Sequence, residues 1–207
     1  MAVTSIIKGT GSYLPEKVLT NADLEKMVDT TDEWIVQRSG IKERCIAAEN
    51  ETTGMMAIEA AKSAMDAAGF SASDIDGVIV ATTTPDRTFP SVAAKVQGEL
   101  NIPHGLAFDI QAVCTGFVYA LATADNFIKM GQAKRILVIG AEKMSSIVDW
   151  KDRTTCVLFA DGAGAVILEA AENDKGLEGQ GIHSTHLYAN GSRRELLQTS
   201  GGASTTG

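Results

Sequence analysis

Apolar residues along this chain fall into short unbroken runs separated by longer stretches with a helical repeat. Gly77-Val-Ile-Val-Ala-Thr82, Leu106-Ala-Phe-Asp-Ile110 and Arg135-Ile-Leu-Val-Ile-Gly140 are such runs. They do not alternate polar with apolar, as a half-exposed strand does. They predict strands covered on both faces, the mark of a parallel α/β sheet. Between them, Ala57, Ala60, Ala61, Ala64, Met65 and Ala68 form a small-residue stripe on a helix predicted over residues 53–69. Thr52 or Thr53 can cap its start and Gly69 can end it, and its small side chains allow close approach to a sheet. A second helix is predicted over 90–100, with Pro90 in its first turn. A third is predicted over about 114–130, where Phe117, Leu121, Ala124 and Ile128 share a face and only Asp125 and Lys129 are charged. Residues 21–38 are amphipathic and read as one bent helix or two short ones. Val157-Leu-Phe-Ala160 and Ala165-Val-Ile-Leu168 flank an Asp-Gly-Ala-Gly sequence and predict a β-hairpin. Residues 182–187 read as a weak strand, and the Gly/Ser/Thr-rich stretch 200–207 as a loop or disordered tail.

Composition narrows the class. With 207 residues, 44% of them hydrophobic, the chain can bury the core of one large or two small domains. Its 26 acidic and 18 basic residues give a net charge of −8, with no Lys/Arg run, which argues against nucleic acid as the main partner. No apolar run approaches the ~20 residues of a membrane span, and residues 1–10 lack the plan of a signal peptide. Cys45, Cys114 and Cys156 are too scattered for a disulfide framework or a zinc site, so a cytoplasmic location with reduced thiols is expected.

Cys114 stands out by placement. The run 106–110 ends, Gln111-Ala-Val113 turns, and Cys114-Thr-Gly-Phe117 opens a helix. Unpaired N–H groups and the dipole at a helix start favour a thiolate, the nucleophilic form. An ordinary thiol is about 3% ionised at pH 7, and making it mostly thiolate takes roughly 2.7 kcal/mol. A helix terminus supplies at best ~2 kcal/mol, so a second group, usually a histidine, is needed. The competing reading is a small residue buried among alanines. None of His104, His183 and His186 lies in a motif that makes it a base, and no metal pair is expected. Trp34 and Arg38 share a helix face, which suits either a clamp for a nucleotide base and its phosphates or plain helix packing. Arg153 falls in a charged stretch that reads as a surface loop. Gly9-Thr-Gly11 and Asp161-Gly-Ala-Gly164 lack the further residues of a phosphate-binding fingerprint.

The sequence resembles the β-ketoacyl-acyl-carrier-protein synthase III family of the thiolase superfamily. The resemblance rests on Gly9-Thr-Gly-Ser-Tyr-Leu-Pro15, Asp32-Glu-Trp-Ile35 with Arg38-Ser-Gly-Ile41, Ala112-Val-Cys-Thr-Gly-Phe117, Asp161-Gly-Ala-Gly-Ala165, and Ser184-Thr-His-Leu187 with Gly191-Ser192. It implies an α/β, thiolase-like fold, mainly the first of two similar βαβαβαββ halves, with a buried mixed sheet flanked by helices. Residues 1–171 would form that half, and residues 172–207 the start of the second half and a flexible tail. The implied activity is decarboxylative condensation of acyl-CoA with malonyl-acyl-carrier protein, initiating fatty acid synthesis through an acyl thioester on Cys114.

Thr30, Trp34, Arg38 and Arg153 match the family's coenzyme A pocket, and Phe89 matches a residue that reaches the acyl pocket of the other subunit of a homodimer. No cofactor is implied beyond the coenzyme A thioester, which is a substrate. The partner histidine and asparagine of the family lie in the second half, and none of the three histidines here matches, so the 207-residue chain alone is expected to be inactive. Ala160 and Thr154 replace glycines usual in the family. The alternatives are a starter-unit condensing enzyme of a polyketide or related pathway, and a non-catalytic half-fold assembly subunit.

Overall fold

The computed structural model describes residues 3–172 and 179–205. Its frame is a five-stranded mixed sheet in the order β1-β7-β6-β4-β5. β1 is Val3–Tyr13, β4 Gly77–Ala81, β5 Leu106–Ile110, β6 Arg135–Lys143 and β7 Asp161–Glu172. β4 runs parallel to both β5 and β6, while β7 lies antiparallel between β6 and β1. Three helices connect them: α3 (Thr53–Ala68) joins the β1 side to β4, α4 (Val92–Glu99) joins β4 to β5, and α5 (Gly116–Lys129) joins β5 to β6. Counted through the sheet, the order is βαβαβαββ, the thiolase-like half that the resemblance implies.

The two faces of the sheet carry separate cores. Val78, Val80, Leu137, Ile139, Ala165 and Ile167 point towards α3 and α4. Ile79, Ala81, Ile136, Val138 and Leu168 point towards α5. Alternate residues of one strand thus serve opposite layers, which is why the strand runs are apolar throughout. The stripe on α3 does what its size allows. Gly9 and Gly11 of β1 lie directly under it, and a Cβ on Gly9 would stand 2.5 Å from Ala64 O and 2.8 Å from Ala68 Cβ.

The α3 helix matches its sequence signals at both ends. The Thr52 hydroxyl accepts from Met55 N–H, and Gly69 takes the left-handed conformation (φ 68°) just past the last turn. Between β1 and α3 the chain makes an excursion. β2 (Lys17–Thr20) pairs with β3 (Glu43–Ile46), and α1 (Asn21–Leu24) and α2 (Asp32–Ser39) lie between them. The amphipathic stretch is therefore two short helices. Leu24 and Ile35 are buried against Cys156 and Val157, which fixes the excursion to the loop that follows β6.

Three expectations need correction. The hairpin is absent. Residues 157–160 are not a strand, and Asp161–Glu172 is one continuous strand in which Gly162 and Gly164 pair with Glu142 and Gly140. The Asp161 carboxylate accepts from Ala47 N–H and Ser145 N–H, so it fastens the strand's start rather than initiating a turn. The second helix starts later than predicted. The Ser91 hydroxyl caps it by accepting from Ala94 N–H, which leaves Pro90 outside the first turn. Residues 182–187 form no strand; Ile182 N–H donates to Ser5 O and the chain continues without regular secondary structure. In the tail, residues 200–205 form loop and turn, while 206–207 lie outside the described residues.

Candidate active site

Three connections leave the carboxyl ends of the parallel strands β4, β5 and β6, the edge where open α/β sheets place their sites. The middle one carries Cys114. After β5, Val113–Thr115 form a single 3-10 turn, and α5 begins at Gly116. Cys114 therefore lies two residues ahead of α5 instead of in its first turn, as the sequence suggested. The turn is closed by the Thr115 hydroxyl donating to Ala112 O at 2.9 Å. Val113 has φ 48°, a left-handed conformation that a β-branched residue adopts only under constraint, costing on the order of 1–3 kcal/mol. Gly116 lets the start of α5 sit on β4, for a Cβ there would lie 3.3 Å from Ala81 Cβ. The outcome of this arrangement is an exposed thiol, not one sealed among alanines.

Cys114 opens onto a cavity of about 410 Å³. Thr83 comes from the loop after β4, Gln111 from the Cys114 turn, and Met144, Val148 and Phe159 from the long loop after β6. None of these was singled out in the sequence, because no local motif marks a residue that reaches a cavity only through the fold. Asp149 and Asp152 also line it. Asp152 has its pKa lowered by the hydroxyls of Thr154 and Thr155 and by Thr154 N–H, which all donate to it. No histidine lines this cavity among the described residues. His104 Nε2 lies 3.9 Å from Asp76, and His183 and His186 sit in the irregular segment after residue 179.

Behind Thr83 stands a half-buried carboxylate. Glu142, near the end of β6, accepts from Thr83 N–H at 2.7 Å, from Thr84 N–H at 3.1 Å and from the Thr84 hydroxyl at 2.5 Å. Burial raises its pKa, and the threonine donors oppose that shift without cancelling it.

A second cluster borders the same loop. The Arg38 guanidinium carbon lies 4.3 Å from the centre of the Trp34 ring, and that of Arg153 lies 4.9 Å from it. Arg38 follows from the four-residue spacing on α2. Arg153 arrives from 119 positions away, held by its Nη1 donating to Asp29 O at 2.6 Å. Next to Asp29, the hydroxyl oxygen of Thr30 is buried with no hydrogen-bond partner among the described residues. The structure thus brings Thr30, Trp34, Arg38 and Arg153 into one neighbourhood. Arg153 directly follows Asp152 of the thiol cavity, so one loop links the two clusters. Phe89 stands apart from both on the loop after β4, with 82% of its surface exposed. Among the described residues there is no group of His, Cys, Asp and Glu able to hold a metal ion, and no helix is long and apolar enough to cross a membrane.

Comparisons with known proteins agree with this geometry. The family model for 3-oxoacyl-[acyl-carrier-protein] synthase III matches residues 108–191. The β-ketoacyl-[acyl-carrier-protein] synthase III of Paramagnetospirillum magneticum is 59% identical over 206 residues, and that of Allorhizobium ampelinum 55% over 205. The chain spans 64% of the length of each. The crystal structure of the synthase III from Thermus thermophilus superposes with a TM-score of 0.86 at 43% identity, over 92% of this chain and 58% of that one. The priming β-ketosynthase of the R1128 polyketide pathway superposes with a TM-score of 0.79 at 34% identity, over 81% of this chain and 50% of that one. In sequence and in fold, therefore, the chain is similar along nearly its whole length to β-ketoacyl-[acyl-carrier-protein] synthase III proteins.

Proposed function

We propose that the complete protein is an acyl-transferring condensing enzyme that initiates fatty acid synthesis, with Cys114 as its nucleophile. The Cys114 sulfur attacks the carbonyl of acyl-CoA, a carbon–sulfur bond forms, and coenzyme A leaves as its thiol, carrying the proton. Malonyl-acyl-carrier protein then loses carbon dioxide, and the resulting carbanion attacks the acyl carbonyl on Cys114. A carbon–carbon bond forms, the Cys114 thiolate departs, and a 3-oxoacyl-acyl-carrier protein is released.

One observation carries this reading. The exposed thiol and the Trp34–Arg38–Arg153 cluster are joined by the single loop after β6. The cluster offers an aromatic face and two cations, which suit the adenine and phosphates of coenzyme A. The cavity offers a path for the pantetheine arm towards the sulfur. The unpaired Thr30 hydroxyl faces the same nucleotide subsite in this reading. Residues 1–171 act as the nucleophile-bearing half, and residues 172–207 begin the second. Phe89 reaches the acyl pocket of a second copy in a cytoplasmic homodimer, which accounts for an aromatic ring held in solvent and for the open edge of the sheet at β5.

With no histidine in the cavity, the 207-residue chain alone lacks a group to activate the thiol and assist decarboxylation. It is expected to show no condensation activity, and normal turnover would overturn that part of the proposal. Labelled acetyl-CoA is expected to acylate the complete protein at Cys114. Label retained in full after Cys114→Ala would sink the assignment.

The similarity to the R1128 priming ketosynthase supports a second reading, in which the same chemistry loads a polyketide starter unit. A panel of acyl-CoA primers and carrier proteins separates the two. A non-catalytic assembly subunit has no use for an exposed thiol at the mouth of a cavity. That third reading would gain if alkylating Cys114 left activity of the assembled protein unchanged.

A further inference from the structure

The exposed Phe89 ring sits on a segment, residues 82–91, that is fastened at three points. At its start, Glu142 accepts from Thr83 N–H and Thr84 N–H. At its end, the Asp109 carboxylate accepts from Val92 N–H and Ala93 N–H, both at 2.8 Å, in the first turn of α4. In its middle, three residues before Phe89, Asp86 holds two helices at once. Its Oδ1 accepts from Gly54 N–H at 2.7 Å. Its Oδ2 accepts from the Thr52 hydroxyl at 2.9 Å and from Lys95 Nζ at 2.6 Å.

These contacts are mutually fitted. The first turn of α3 has no acidic residue of its own, so Asp86 supplies from the loop the negative charge that a helix start favours. Gly54 makes room for it, since a Cβ there would lie 2.7 Å from Asp86 Oδ2 and 2.9 Å from Lys95 Cδ. The Asp86–Lys95 pair is largely shielded, with the carboxylate side chain only 15% exposed. A ring that stands 82% exposed has few contacts of its own to set its direction. Its direction is set by the backbone that carries it, and Asp86 is the anchor of that backbone nearest to it.

We propose that Asp86 is a positioning residue for Phe89, tying the loop to α3 and α4 so that the ring forms a fixed wall and limits the length of acyl chain the enzyme accepts. This rests on the reading above, in which Phe89 closes the acyl pocket of the partner subunit. A wall on a loosened loop yields to longer chains. Loss of the anchor therefore acts in the same direction as loss of the ring.

The test measures kcat/KM of the complete protein for acyl-CoA primers from acetyl to octanoyl. Phe89→Ala is expected to raise the octanoyl-to-acetyl ratio by about tenfold or more, and Asp86→Ala by a comparable factor. The double variant is expected to go no further than Phe89→Ala alone, because both remove the same wall. Asp86→Asn keeps an acceptor for Gly54 N–H and is expected to fall between wild type and Asp86→Ala. Asp74→Ala breaks a similar carboxylate clamp on Ser71, ahead of β4 and outside this loop, and is expected to lower stability without moving the ratio. An unmoved ratio in Phe89→Ala would remove the pocket reading and the proposal with it. A ratio that moves for Phe89→Ala but not for Asp86→Ala, or that adds fully in the double variant, would overturn the role of Asp86 alone. If Asp86→Ala fails to fold, Asp86→Asn decides.

Discussion

Gly9→Ala measures how closely α3 is pressed onto the sheet. The added Cβ would stand 2.5 Å from Ala64 O, 2.7 Å from Ala68 N and 2.8 Å from Ala68 Cβ. Two of those atoms are helix backbone, which cannot swing aside as a side-chain tip can. Restoring an ordinary 3.4 Å contact with Ala64 O moves α3 outward by about 0.9 Å. Met56, Ala57, Ala60, Ala61 and Ala64 are each fully buried in the core on that face, so the shift loosens contacts along much of the helix. Overpacking of this kind costs about 1–3 kcal/mol, and the backbone contacts place Gly9→Ala near the upper end. At about 2–4 °C per kcal/mol for a chain of this size, the melting midpoint falls by roughly 6–12 °C.

The natural control is Gly98→Ala in α4, where a Cβ meets nothing within 4 Å. Removing glycine from the last turn of the helix there is expected to raise stability by up to about 0.5 kcal/mol. Circular dichroism on heating, with urea unfolding alongside, reads both variants. A loss below about 1 kcal/mol for Gly9→Ala, or equal signs for the two variants, would refute the close approach as the reason for glycine at position 9.

Further outcomes follow from the same contacts. Asp161→Ala strips the acceptor from Ala47 N–H and Ser145 N–H at a position only 3% exposed, and is expected to cost about 2–5 kcal/mol in urea unfolding. Trp34→Ala removes the aromatic face of the cluster, and a base stacked there is worth about 1–3 kcal/mol, so KM for acyl-CoA should rise roughly 5- to 150-fold with kcat little changed. A carbon-13 carboxyl titration is expected to show Asp23 with a pKa of about 2, held down first by the Thr20 hydroxyl, then by Lys26 and by Thr20 N–H. Because this folded-state pKa is depressed, the stability it contributes is present above the ordinary carboxylate range and is lost as pH falls towards 2; Thr20→Val should return the midpoint towards its usual value.

The parts of the fold written in local pattern were legible. The ends of α3 followed from Thr52 and Gly69, and the runs 77–82 and 106–110 became β4 (Gly77–Ala81) and β5 (Leu106–Ile110). β6 runs on to Lys143 because β7 pairs with it beyond the end of β4, and no one-strand pattern encodes that. β1 was missed for the same physical reason that makes it work. Gly9 and Gly11 weaken a strand pattern, yet the pressed helix requires them. Asp161-Gly-Ala-Gly164 misled in the opposite sense: it has turn chemistry by composition, but its carboxylate is spent on Ala47 and Ser145. At the candidate site, the pairing of Trp34 with Arg38 could be read from spacing on one helix. Arg153 could be placed beside them only by resemblance, since 119 residues separate it from Trp34. The exposure of Cys114 depends on the backbone of Val113, which composition does not reveal.

The sheet is sealed on both sides at its centre, and that divides the molecule into a conservative and a permissive part. Every residue of β4 is buried, and its side chains alternate between the two helical layers. A volume change in β4 disturbs one layer directly and the strand's neighbours on the other, so retuning the protein from within the sheet is costly. The segments 82–91, 111–115 and 144–159 escape that constraint, because each is anchored at its ends and borders the cavity or carries Phe89. A library confined to the exposed positions of those three stretches, with Cys114, Asp86, Arg153, Cys156 and Val157 kept, would vary the cavity's surroundings while leaving the buried cores intact.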